Sequence, residues 1–203
     1  MSNHADTIGF AKIGRDVVVW PLAKIVQADR ITVGNSVIID DFVFLMGGQE
    51  TVIADFVHIA SSASCTGGGR LWMADFSALS SGVRVFTGNE DYSGASLTNP
   101  TVPFPYRKPV RSYVRIGKHV VVGANSVVLP GVTIGEGAVI SPNSVVVADC
   151  APWTVYVGSP ARAVKARPPQ KILDLEGLLR SKVYAPDATY IPRDQWSIDG
   201  ADE

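Results

Sequence analysis

The sequence is poor in charge, histidine and cysteine, and it contains no long apolar run. Charged residues make up 18% of its 203 positions and hydrophobic ones 46%, the reverse of the balance that keeps a chain disordered. The formal net charge of −1 gives no electrostatic case for a nucleic-acid partner. Cys65 and Cys150 lie far apart without CxxC spacing, which suggests neither a disulfide framework nor a metal site. No apolar run is long enough for a membrane span, and no basic segment leads into an apolar signal region. The expectation is a soluble cytoplasmic protein, one sizeable domain with a short appendage.

What is present is a repeat. Stepping by six from Ile116 gives Val122, Val128, Ile134, Ile140 and Val146, all aliphatic. Four residues after each stand Val120, Ser126, Val132, Ala138, Ser144 and Cys150, all small or β-branched. Such a pattern fits an all-β, left-handed parallel β-helix, in which each hexapeptide is one short strand and a corner. The aliphatic points into a narrow triangular prism and its companion must be small. Glycine after the aliphatic (Gly117, Gly123, Gly135) is expected to supply the corner conformation. The front half repeats every 20 residues instead: Ile13, Val33, Ile53 and Met73 open first faces. Val19, Ile39, Ile59 and Leu79 open second faces, and Ile25, Leu45, Cys65 and Val85 third faces. Two extra residues therefore fall on every third face.

The last of those bulges fails to close. From about residue 87 to 113 the chain leaves the repeat, and a long excursion from a compact solenoid is usually functional. Residues 1–167 are expected to form the β-helix domain. Residues 168–203 are expected to add a short helix, with Ile172, Leu175, Leu178 and Leu179 at helical spacing, and a tail. The helix should cap the open end of the solenoid, and the tail should reach a neighbouring subunit.

The segments Val121-Val122-Gly123-Ala124-Asn125-Ser126-Val127-Val128 and Val155-Tyr156-Val157-Gly158-Ser159-Pro160-Ala161-Arg162 resemble the C-terminal coils of the hexapeptide-repeat acyltransferases. That superfamily includes galactoside, maltose and xenobiotic acetyltransferases and the sugar acetyltransferases of surface-polysaccharide pathways. The run Asp91-Tyr92-Ser93-Gly94 with Asn99-Pro100-Thr101-Val102-Pro103 is most similar to the polysaccharide-associated members. The resemblance implies a homotrimer with acetyl-CoA lying between adjacent β-helices. Gly123, Ala124 and Ser141 would line the pantetheine, and Arg162, Lys165 and Arg167 would meet its phosphates. Many relatives carry a lysine before the aspartate where Ala148-Asp149 stands here. The implied reaction is acetyl transfer to a hydroxyl or amine of a sugar, either free or nucleotide-linked. An acetyltransferase for a non-sugar small molecule and a non-catalytic trimeric scaffold are the alternatives. A β-helical carbonic anhydrase would need three zinc-binding histidines, and His4 lies too far from His58 and His119.

Acyl transfer from a thioester requires a nucleophile, a group to take its proton and donors for the oxyanion. His58 follows inward-facing Val57, so it should face outward at a coil corner, with Glu50 and Glu90 near enough to orient it. It is the histidine on which turnover should depend most; His119 should also face outward. The excursion holds no histidine, unlike that of the galactoside and maltose enzymes. A second resemblance is to nucleotide-sugar N-acetyltransferases with a His-acid pair followed, nine residues after the first His, by His-Ile. Here Gln49-Glu50 and His58-Ile59 stand at that spacing, with Gln49 in place of the first His. That match implies His58 beside the acyl thioester and leaves the base to Glu50, Glu90, Asp91 or no residue. Tyr92 and Asn99 are the excursion side chains suited to stack on and hydrogen-bond a sugar.

Overall fold

The computed structural model describes residues 4–198. They wind into a left-handed parallel β-helix with three sheets as its faces. The first-face sheet begins with Lys12–Ile13, the second with Val18–Val19 and the third with Lys24–Val26. Ile39, Leu45, Ile59, Leu79, Val122 and Ile140 each have 0% exposure, and burying such a side chain contributes about 1.5–3 kcal/mol. Beside them the small companions Val120, Ser126, Ala138 and Ser144 are equally closed off. The buried serines are hydrogen-bonded: the Ser126 hydroxyl donates to the Ser141 carbonyl (3.0 Å), and the Ser144 hydroxyl accepts from Gly158 N–H (3.0 Å). Across the excursion the register is unbroken, with Met73 paired to Ile116 and Leu79 to Val122. No helix among the described residues is long and apolar enough to cross a membrane.

The corners differ from the expectation. Left-handed backbone falls three residues after the aliphatic, on Asp16, Ser36, Phe56, Phe76, His119 and Trp153 among others. Gly117 and Gly123 do not adopt it. They are small because coils touch there: a Cβ on Gly117 would lie 2.7 Å from Glu136 N, and one on Gly123 2.6 Å from Pro142 N.

The C-terminal segment also departs from the expectation. Helix α1, Gln170–Val183, does not cap the end of the solenoid. It and the tail run back along the corner between the first and second faces. Beneath them is a ladder of rings, Phe56 on Phe76 at 4.9 Å, Phe76 on His119 at 5.1 Å and His119 near Trp153 at 6.1 Å. Beside the rings a carboxamide–carboxylate ladder climbs the coils: Asp75 accepts from Asp55 N–H (3.1 Å), Asp55 from Asn35 N–H (2.7 Å) and Asn35 from Arg15 N–H (2.9 Å). The second oxygens of the aspartates hold the returning chain. Tyr184 donates to Asp55, Arg180 to Asp75, and Tyr190 to Asp16 at 2.9 Å. The tail thus lies on its own protomer.

Helix α1 buries a charge rather than its leucines. Leu175 and Leu178 are exposed, whereas Glu176 is buried against Lys118 (2.6 Å), His119 (2.8 Å) and Arg180 (2.5 Å). His119 thus faces outward from the prism as expected, but the helix buries it. Burial alone would raise the Glu176 carboxyl, but hydrogen bonds from Lys118, Arg180 and His119 outweigh it and bring it down to about 2. A depressed carboxylate stabilises the fold above its unfolded value, and that stability is lost as pH falls towards 2. Glu176→Gln should therefore cost roughly 2–3 kcal/mol at pH 7 in urea unfolding. The gap to the parent should close as pH falls from about 4.5 to about 2; a gap independent of pH would show that the carboxylate charge is not what holds the helix.

Candidate active site

The third-face bulges stack as closely as backbone permits. A Cβ on Gly47 would sit 2.2 Å from Gln27 O, and one on Gly69 2.1 Å from the carbonyls of Ser112 and Thr87. Only glycine allows that approach. The excursion is rooted on this column. Gly88–Asn89 pairs antiparallel with Val110–Arg111 as a short stem. Arg111 Nη1 donates to Gly67 O (2.7 Å), and Thr87 Oγ1 accepts from Gly69 N–H (2.9 Å).

Between stem and solenoid lies a cleft of about 440 Å³. Met46, Gly68 and Phe86 contribute from the coils, and Glu90, Tyr92 and Arg107 from the excursion. Arg107 Nη1 donates to Glu90 Oε1 at 2.9 Å, with the two side chains 13% and 21% exposed. Glu90 Oε2 and Arg107 Nε are buried and take no partner from the described residues. Asp91 accepts the Ser93 hydroxyl (2.6 Å) and N–H (2.7 Å) through Oδ1. Those bonds bring its carboxyl down to about 2, while Asp91 Oδ2, like Glu90 Oε2 and Arg107 Nε, is buried without a partner among the described residues. Asn99 spends its Oδ1 on Thr101 N–H (2.9 Å) and hydroxyl (2.5 Å). Its carbonyl oxygen is occupied in a local turn, while Tyr92 stands 84% exposed at the cleft rim.

The other sequence candidates lie elsewhere on the prism. His58 is on the second-face strand His58–Ile59, half exposed, with Nε2 3.1 Å from Asp40 Oδ2. Its carboxylate partner is thus Asp40, not Glu50 or Glu90. Glu50 opens the first-face strand Glu50–Ile53 and is exposed. Gly123, Ala124 and Ser141 follow second-face strands, where Gly123 is buried and Ala124 and Ser141 are partly open. Arg162 and Lys165 are exposed on the strand Arg162–Ala166, which turns back antiparallel on Thr154–Val157. Arg167 leaves the basic cluster: it donates to the carbonyls of His119 (2.9 Å) and Gly137 (3.0 Å) and so ties the corner. Sequence reasoning missed Arg107 and Asp40. Asp40 follows inward Ile39 one coil before His58, so the repeat register could have found it. No spacing signal marks Arg107, because its partner lies across an irregular loop.

The pattern described as "Bacterial transferase hexapeptide (six repeats)" matches residues 113–148. The dTDP-4-amino-4,6-dideoxy-D-glucose acyltransferase of Escherichia coli is 40% identical over 174 residues, covering 85% of this chain and 90% of that one. The putative lipopolysaccharide biosynthesis O-acetyl transferase WbbJ of Escherichia coli is 34% identical over 56% of each chain. Among solved structures, AntD, an N-acyltransferase from Bacillus cereus in complex with dTDP and 3-hydroxybutyryl-CoA, superposes with a TM-score of 0.81 at 35% identity, covering 87% of this chain and 94% of that one. The unbroken coil register, the rooted excursion and these likenesses over most of the chain agree: this protein belongs to the hexapeptide-repeat acyltransferases.

Proposed function

We propose that the chain N-acylates the amino group of a nucleotide-linked amino-deoxy sugar, with acetyl-CoA or another short acyl-CoA as donor. The observation that carries this is Glu90 Oε2, a buried carboxylate oxygen without a partner among the described residues, on a side chain that lines the excursion's cleft. A sugar amine donating to Oε2 would be held with its lone pair free. As that nitrogen attacks the thioester carbonyl, the C–N bond forms and its proton passes to Glu90; the C–S bond then breaks, and coenzyme A leaves as the thiolate, which takes the proton back from Glu90. Asp91 keeps the turn beside it, and Tyr92 offers a face to the sugar. Likeness to the amino-sugar acyltransferase and to AntD, both over most of the chain, supports an amine over a hydroxyl acceptor.

A second assignment of the base rests on one observation, the His58–Asp40 pair at 3.1 Å. The two assignments separate by substitution. With a panel of nucleotide amino sugars and thiol release as readout, Glu90→Gln should lower kcat by about 10²–10⁴. His58→Ala should then lower it by less; the reverse order would move the base to the second face.

The finer parts of the reading follow from the surface. We infer a homotrimer, because Trp20, Leu22 and Phe42 project from the second-to-third corner and Leu97, Phe104 and Tyr106 from the excursion, all exposed. Two different apolar patches of this kind are suited to a head-to-tail contact that closes into a ring. Light scattering should report three chains, and a monomer would exclude a shared site. We infer further that Gly123, Ala124 and Ser141 would border the pantetheine, and that Arg162 and Lys165, exposed on their strand, would meet the phosphates. Charge-assisted contacts of that kind contribute about 1.5–3 kcal/mol. Replacing Arg162 and Lys165 with alanine should weaken acyl-CoA binding more than binding of a donor lacking the 3′-phosphate; equal losses would remove them from the phosphates. Both substrates are multiply charged and do not cross membranes unaided, so the reaction belongs in the cytoplasm, as a step towards surface polysaccharide.

A further inference from the structure

Arg107 is more constrained than a loop arginine needs to be. Its backbone bridges to Leu97, and Leu97 N–H donates to Tyr106 O at 2.9 Å. Its guanidinium lies over the Phe104 ring at 4.9 Å. Its Nη1 meets only one oxygen of Glu90. Arginine and carboxylate can engage through two parallel hydrogen bonds, and here they do not. The pair instead leaves one acceptor, Glu90 Oε2, and one donor, Arg107 Nε–H, buried and unpartnered. Both residues line the same cleft. Buried polar atoms without partners are uncommon, and each calls for an explanation.

The geometry points to Arg107 as a specificity-determining residue that, with Glu90, reads a vicinal amino alcohol on the acceptor sugar. The inference rests on the proposed N-acylation at Glu90 and adds a second atom of recognition. The amine donates to Glu90 Oε2, and the hydroxyl on the neighbouring carbon accepts from Arg107 Nε–H. One acceptor and one donor in the same ion pair match one donor and one acceptor on adjacent carbons. A lone amine would satisfy Oε2 and leave Nε–H unpaired. A lone hydroxyl would not supply the nucleophile. Arg107 also positions Glu90: Nη1 holds Oε1, so Oε2 is the oxygen left for the substrate. Lysine in its place would keep the charge but lose the rigid second donor.

The test uses the full-length protein with dTDP-4-amino-4,6-dideoxyglucose and its 3-deoxy counterpart, in which the hydroxyl beside the amine is missing. The parent enzyme should prefer the hydroxylated sugar by roughly tenfold to a hundredfold in kcat/KM, because a site built to bind a hydroxyl discriminates against its absence. Arg107→Met should abolish that preference by losing activity on the hydroxylated sugar more than on the deoxy sugar. Arg107→Lys should regain kcat but not the preference. Melting temperature and acyl-CoA binding, followed in parallel, report whether each variant remains folded. Equal losses on both sugars in Arg107→Met, or a preference that survives it, would make Arg107 a tie between the two limbs of the excursion and overturn the inference. Failure of the parent to acylate either sugar would overturn the proposed function itself, a separate outcome.

Discussion

Everything in this molecule depends on how little space a triangular prism leaves at its centre. Each face contributes an aliphatic and a smaller companion per coil, and Ile39, Leu45, Ile59 and Leu79 fill the interior with no exposure at all. Coils then hydrogen-bond directly above one another, so every outward residue acquires a fixed neighbour one coil away. The carboxylate–amide ladder from Asp75 to Arg15, the ring ladder from Phe56 to Trp153 and the glycine column beneath the excursion are three consequences of that stacking. The returning C-terminal chain reads two of these ladders, and the candidate site is built on the third.

The same stacking explains which parts of the structure were legible in the sequence. Inward positions obey a period, so the three faces and the coil length followed from Ile116, Val122 and Val128 and from the 20-residue recurrence of Ile13, Val33 and Ile53. The excursion was visible as the place where the period lapses, and Glu90 was visible as an acid within it. Conformation at the corners was harder to read. Glycine was expected in the left-handed positions, but Phe56, Phe76 and His119 occupy several of them, with their rings stacked beneath the returning C-terminal chain. The helix misled for a related reason. Its leucines have the spacing of a buried face, yet the buried members are Val183 and Glu176, and two of the three partners of Glu176, Lys118 and His119, come from another part of the chain. Long-range ionic pairing leaves no periodic trace. Arg107 is the extreme case, since its partner Glu90 lies in the same aperiodic loop.

Charge is used sparingly and in two different ways. Around Glu176 three donors converge on both carboxylate oxygens and the carboxylate is enclosed, an arrangement that fixes a helix in place. At Glu90 the pairing is incomplete by one oxygen and one nitrogen. Breaking either pair would leave a buried charge exposed to the same electrostatic cost. Completion separates the ion pair that holds structure from the one poised to meet another molecule.

Met73 and Ile116 are paired as though no residues lay between them. The solenoid therefore keeps its register across the insertion, which it meets at the root through Thr87 and Arg111, and lengthening such a loop adds only a slowly growing entropic cost. Mutation can then rewrite the excursion while the interior remains under a separate selection. A lineage of such proteins would be expected to change its acceptors faster than its scaffold, with insertions and deletions accumulating at this one seam.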